Sequence, residues 1–221
     1  MSSKKNFLFD LNGTMIDDMD YHITAWHQVF NKCGASISWE HMKEECYGKN
    51  EEIVKRLFPG RFTEEQTKQM SLQKEAQYQQ NYKPHLELLP GLHGLLSKAY
   101  EQQIGMAIGS AAIMSNIDFV LDNLDIRSYF DALVSADDVS MSKPHPETYL
   151  TCAKKLQASS ETCIVFEDSI KGVESALNAG MKCVALTTLH CADEFEQFKN
   201  VLLIIKDYTD LRLDNLFFPA E

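Results

Sequence analysis

Six times along this 221-residue chain a short, continuous apolar run stops at polar or small residues. The runs cover residues 6–10, 104–110, 132–135, 162–168, 183–187 and 201–205. They do not alternate apolar with polar, as a strand with one wet face would. Continuous runs of this length suit strands buried on both faces, the condition of a parallel sheet covered by helices. Between them lie patterns of helical period. Leu92, Leu95, Leu96 and Ala99 recur within 91–103, and Ile117, Val120, Leu121 and Leu124 within 117–124. Further stretches span 146–156 and 170–179, the last stopped by Gly180. Strand and helix alternate, so the expected fold class is α/β, a Rossmann-like and mostly parallel sheet core.

The alternation is interrupted once. From about Asp17 to Tyr82 no convincing strand is found. Residues 21–33 read as a helix with Ile23, Trp26, His27 and Phe30 on one side. Residues 51–57 and 63–82 also read as helices, and Thr63-x-x-Gln66 has the form of a capping box. The expected architecture is a core of residues 1–15 and 88–221 carrying an inserted, all-helical cap at 16–87. The cap is expected to hold four helices, with linkers at 15–18 and 82–89.

Composition excludes several partners. The 44% hydrophobic fraction is enough for a real core. Asp plus Glu number 32 against 21 Lys plus Arg, a net charge of −11, which argues against nonspecific binding to nucleic acid or an anionic membrane. No apolar run approaches bilayer length, and the opening residues lack the make-up of a signal peptide. The six cysteines form no C-x-x-C pair and read as small apolar residues of a reduced compartment. The expectation is a cytoplasmic monomer with no nucleic-acid or membrane partner.

In open α/β sheets chemistry collects at the carboxyl ends of the strands. Asp10-Leu-Asn-Gly-Thr14 stands after the first run and Gly109-Ser110-Ala111-Ala112 after the second. Ser142-Lys143-Pro144-His145-Pro146 precedes a helix, and Glu167-Asp168-Ser169 ends a further strand. One carboxylate with a glycine turn, one hydroxyl, one lysine and one acidic pair point to phosphoryl chemistry with a divalent ion. Asp10 and Asp168 are hard oxygen ligands of the kind Mg²⁺ takes, and Asp10 is also placed to attack phosphorus. Ser110 and the backbone N–H groups around Gly13–Thr14 and Ala111–Ala112 are expected phosphate donors. Lys143 is expected to neutralise the phosphoryl group and to hold Asp10 ionised.

Taken in order, these segments resemble the four motifs of the haloacid dehalogenase-like superfamily, over nearly the whole chain. The residues that carry the resemblance are Phe9-Asp10-x-x-Gly13-Thr14, Ser110, Lys143-Pro144-x-Pro146 and Phe166-Glu167-Asp168-Ser169-x-x-Gly172-Val173. The helical insertion, opening on Tyr21-His22-x-x-Ala25-Trp26, is similar to the cap of the β-phosphoglucomutase-like branch. The resemblance implies a Mg²⁺-dependent phosphohydrolase that acts on a small phosphorylated metabolite through an aspartyl-phosphate. It implies Mg²⁺ held by Asp10, the backbone carbonyl of Asn12 and Asp168, with Glu167 supporting the metal directly or through water. It implies phosphate or substrate contacts from Thr14, Ser110, Ala111, Lys143 and Asn116 in the core, and from His22, Trp26 and Lys49 in the cap. The cap is expected to close over the site and exclude water.

Two departures stand out. The phosphatase and mutase members carry an aspartate, the general acid and base, where this chain has Asn12. An amide hydrogen-bonds but neither delivers nor accepts a proton at neutral pH. Asn12 is then a natural feature of a slow member, a natural feature offset by another acid with His22 the first candidate, or an engineered change that traps a phosphoenzyme. The mutase branch also has an arginine shortly after the glycine matching Gly48, where this chain reads Gly48-Lys49-Asn50-Glu51-Glu52. Lys49 is the available cation there, without the bidentate fork. Phosphosugar mutase activity and an impaired, phosphate-binding member remain the alternatives to a phosphatase.

Overall fold

A computed structural model describes residues 5–218 of the chain. Six strands form one parallel sheet: β1 (Asn6–Phe9), β2 (Gly105–Gly109), β3 (Ala132–Val134), β4 (Cys163–Glu167), β5 (Lys182–Leu186) and β6 (Val201–Ile205). The order across the sheet is β3-β2-β1-β4-β5-β6. Phe9 pairs in register with Ile108 on one side and with Phe166 on the other. β1 is therefore central, and the order of the strands reverses beside it. That makes the carboxyl ends of β1 and β4 the place where crossovers part and a ligand crevice opens.

The strands sit where the apolar runs predict them: β1 to β4 are each trimmed by a residue or two, β5 is shifted one residue toward the N-terminus, and β6 matches its run. The sheet is buried on both faces. Leu8, Ala107, Val134, Val165, Cys183 and Ala185 join Tyr149, Cys152, Val173 and Ala176 in one core cluster. These last four come from α7 (Glu147–Lys155) and α8 (Ile170–Asn178). The neighbouring residues point to the opposite face, because side chains alternate along a strand. There Phe7, Phe9, Phe166 and Phe217 form an aromatic cluster, with Phe9 stacked on Phe166 at 4.6 Å. Each buried Phe removes enough apolar area to contribute about 2–3 kcal/mol. The six cysteines are all free, and only Cys33 and Cys191 are exposed.

Two compact units divide the chain: Met1–Asp17 with Glu87–Glu221, and Asp18–Leu86. The second unit holds α1 (Met19–Lys32), α2 (Trp39–Glu45), α3 (Asn50–Leu57) and α4 (Glu64–Tyr82). Its core is Ile23, Trp26, Val29, Phe30, Met42, Ile53, Val54 and Met70. α2 was not legible as a periodic segment, since only Met42 of its seven residues is buried; a side-chain cap from Ser38 to the His41 N–H opens it. The capping box at the start of α4 is present in both directions, Gln66 N–H to Thr63 Oγ1 at 3.2 Å and Thr63 N–H to Gln66 Oε1 at 2.9 Å.

The first unit also holds α5 (Leu92–Glu101), α6 (Met114–Asn123), α9 (Ala192–Phe195) and α10 (Leu211–Phe217). α6 begins three residues before the apolar period suggests, because its first turn is polar and carries the buried Asn116. α9 and α10 were missed as too short to show a helical period.

Candidate active site

The site is built on the carboxyl ends of β1 and β4. Asp10 leaves β1 with its N–H bonded to the Phe166 carbonyl of β4 at 3.0 Å. Asp168 follows directly on β4. Ligand oxygens of Asp10, Glu167 and Asp168 all come within 4.8 Å of one another, and all three residues are buried. Gly13 makes this approach possible: its φ is +73°, and a Cβ there would fall on the Asp168 carboxylate. Gly172 does the same for Glu167, on whose carboxyl a Cβ would also land.

Lys143 reaches the cluster from the loop before α7. Its Nζ lies 2.6 Å from Asp10 Oδ1 and 2.6 Å from Glu167 Oε1. The loop is docked from α8: Ser175 Oγ donates to the His145 carbonyl at 2.8 Å, and Asn178 Nδ2 to that of Pro144 at 3.0 Å. Three buried carboxylates thus gather around one buried ammonium. Burial, reinforced by Glu167, raises the Asp10 carboxyl above its ordinary range even though Lys143 pulls it down. Asp168 is raised well above its range by burial and by its neighbours Glu167 and Asp10. Burial disfavours the Lys143 ammonium, but Asp10 and Glu167 outweigh it and hold the lysine charged. Lys143 pulls Asp10 toward its ionised form, the direction expected of it, while one ammonium stands against three buried carboxylates. Hard oxygen donors carrying excess negative charge fit a cation of the Mg²⁺ type.

Glu167 is held by four donors. Lys143 and the Tyr149 hydroxyl (2.8 Å) reach Oε1, while the N–H and Oγ of Ser169 each lie 3.0 Å from Oε2. The Lys143 ammonium also stands 4.7 Å from the centre of the Tyr149 ring. Tyr149 was missed as a site residue. The one sequence signal for it is its place on the buried face of α7, six residues after Lys143.

Two expected phosphate donors are committed elsewhere. The Thr14 hydroxyl donates to Asp168 Oδ1 at 3.1 Å, and the Thr14 N–H to the Leu11 carbonyl at 3.3 Å. Thr14 is fully buried and holds Asp168 in place of a ligand. The Ala112 N–H is spent on Ser110 Oγ at 3.1 Å, which leaves the Ser110 hydroxyl proton to donate. The Ala111 N–H has no protein partner among the described residues. Asn116 is buried in the first turn of α6, and Asn12 is half-buried on the loop after Asp10.

His22, Trp26 and Lys49 lie on the helical unit. Trp26 is fully buried, stacked on Phe30 at 4.8 Å, so packing occupies the ring that was expected to meet substrate. Lys49 is the N-cap residue of α3, its N–H accepted by the Glu52 carboxylate at 3.0 Å. His22 has both ring nitrogens engaged. Lys74 Nζ is 2.6 Å from Nδ1, and Asp18 Oδ2 is 3.2 Å from Nε2. An ammonium only donates, so the hydrogen bonds assign the ring proton to Nε2, facing Asp18. Tyr78 stacks on the same ring at 3.7 Å and donates its hydroxyl to Asp18 at 2.5 Å. As a substitute for the acid missing at Asn12, His22 is therefore already committed within its own unit.

A Rossmann-like sheet with three carboxylates and a lysine meeting at its switch point defines the class of this protein. The family profile described as haloacid dehalogenase-like hydrolase matches residues 7–186. Hexitol phosphatase B of Escherichia coli is 28% identical over 184 residues, covering 81% of this chain and 82% of the relative. Fructose-1-phosphate phosphatase of the same organism is 28% identical over 182 residues, covering 82% and 96%. A solved β-phosphoglucomutase from Clostridium difficile superposes with a TM-score of 0.84 at 26% identity, over 96% of this chain and 95% of that one. The chain belongs to the haloacid dehalogenase-like hydrolase family, and it is an enzyme of that family.

Proposed function

We propose that the protein is a Mg²⁺-dependent phosphatase of small phosphorylated metabolites, with Asp10 as nucleophile. The observation that carries this reading is the meeting of Asp10, Asp168 and Lys143 at the carboxyl ends of β1 and β4. Asp10, Asp168 and the Asn12 carbonyl would hold the ion, which supplies charge to neutralise the phosphoryl oxygens and the buried carboxylates. Asp10 attacks phosphorus, the bond from phosphorus to the ester oxygen breaks, and that oxygen takes a proton from solvent water, since the Asn12 amide has none to give. Water then cleaves the acyl phosphate, releasing inorganic phosphate and restoring Asp10. Ser110, the Ala111 N–H and Lys143 bind the oxygens on which charge gathers. Glu167 works chiefly through Lys143, since four donors already surround its carboxylate. The free thiols and acidic balance support a cytoplasmic setting.

Asn12 limits the proton step. General acid–base catalysis contributes roughly 10²–10⁴-fold, and an alkoxide leaving group feels that loss most. The relatives' names make sugar and sugar-alcohol monophosphates the first compounds to test, beside acyl phosphates and pyrophosphate. Phosphate release from such a panel, by wild type and Asp10→Ala, is the test. Release by Asp10→Ala at the wild-type rate would remove Asp10 from the mechanism. Similarity to β-phosphoglucomutase favours a mutase as the second reading. A β-sugar 1-phosphate with a bisphosphate primer, coupled to detection of the 6-phosphate, decides between them.

A further inference from the structure

The loop after Asp10 is stitched to the core by three successive carbonyls. Gly13 O accepts from Thr188 Oγ1 at 2.5 Å, Thr14 O from the Tyr208 hydroxyl at 3.0 Å, and Met15 O from the Leu89 N–H at 2.8 Å. These donors come from three distant stretches: the end of β5, the turn after β6 and the segment before α5. Within the loop, the N–H groups of Thr14 and Met15 both go to the Leu11 carbonyl. An isolated bridge pairs Asn12 with Ile16 within the loop, and these three partners satisfy its outward carbonyls. Thr188 is itself fixed, because the N–H and hydroxyl of Thr187 both bond to the Ile205 carbonyl of β6, at 2.9 and 3.3 Å.

We propose that Thr188 is a positioning residue for the nucleophile loop. Its hydroxyl grips the peptide one step beyond Asn12, at the glycine whose left-handed backbone lets Asp168 approach. It touches neither the carboxylates nor Lys143; it acts by narrowing the conformations open to residues 11–16. Misplacement of reacting groups by a fraction of an ångström is costly in such sites, so a loosened loop lowers turnover more than binding. The inference rests on the reading of Asp10 as nucleophile.

The test compares Thr188→Val, which keeps shape and removes the hydroxyl, with Thr188→Ser, which restores it. Hydrogen exchange of the peptide spanning 11–16 is expected to quicken about tenfold in Thr188→Val. kcat is expected to fall about tenfold with KM within about twofold, while Thr188→Ser stays within about twofold of wild type on every measure. If Thr188→Val does not fold, Tyr208→Phe frees the next carbonyl and takes its place in the comparison. Unchanged loop exchange, faster exchange with unchanged kcat, or a serine variant as impaired as valine each overturns the proposal. A wild type that hydrolyses nothing in the panel sinks the functional reading instead, and loop exchange then decides the role of Thr188 alone.

Discussion

Lys143 Nζ lies 2.6 Å from Asp10 Oδ1, across 133 residues of sequence. The same ammonium is 2.6 Å from Glu167, and its side chain is only 9% exposed. Removing it leaves buried carboxylates facing each other. Lys143→Met is expected to lower kcat/KM at least 100-fold and to destabilise the protein by about 3 kcal/mol. Urea unfolding and phosphate release check both; turnover within tenfold of wild type would remove Lys143 from the reaction.

Asn12 is the residue whose replacement most directly reads the mechanism. Asn12→Asp supplies a carboxyl that can carry a proton to the leaving oxygen. Hydrolysis of an alkyl phosphate is expected to rise roughly 10²-fold or more, and that of p-nitrophenyl phosphate much less, because its leaving anion is stable. Equal effects on the two esters would show that Asn12 does not limit the proton step.

Gly13 combines φ +73° with the approach of Asp168. Gly13→Ala is expected to cost at least ~2 kcal/mol of stability and to abolish turnover, since any side chain displaces a carboxylate of the site. A variant that melts and turns over like wild type would contradict the close approach.

The donor set of Asp10 and Asp168 fits a divalent cation. Mg²⁺ at a hundred times its dissociation constant is expected to stabilise the wild type by about 2.7 kcal/mol. Asp168→Asn is expected to lose most of that gain. Differential scanning fluorimetry with and without Mg²⁺ measures it, and an unchanged gain in the variant would place the ion elsewhere.

Trp26 separates packing from substrate contact. Its ring is buried against Phe30, and its Nε1 has no hydrogen-bond partner among the described residues. Trp26→Phe therefore leaves no donor stranded and is expected to change KM less than about twofold. Trp26→Ala is expected to cost about 3–5 kcal/mol. A tenfold rise in KM for the phenylalanine variant would return Trp26 to the substrate site.

The parallel core and its helical insertion were legible because both are written locally. Apolar runs such as 163–167 show burial on two faces, and the strand ends carry Asp10, Ser110 and Glu167-Asp168. α4 was legible as a helix, but not for what it buries. Its inward stripe includes Lys74 and Glu75, whose burial makes sense only once His22, Asn50 and Tyr78 are seen beside them. α2, α9 and α10 are too short to show a period.

The sequence by itself determined the kinds of group present and their order along the sheet, because strand periodicity and turn chemistry act over a few residues. Tertiary structure alone decided which groups meet. Thr14 serves Asp168 in place of a ligand, Tyr149 props Glu167, and Thr188 holds the Gly13 carbonyl across 175 residues. Those pairings depend on how strands far apart in the chain lie side by side and on which buried polar atoms must be satisfied there. No local pattern records that.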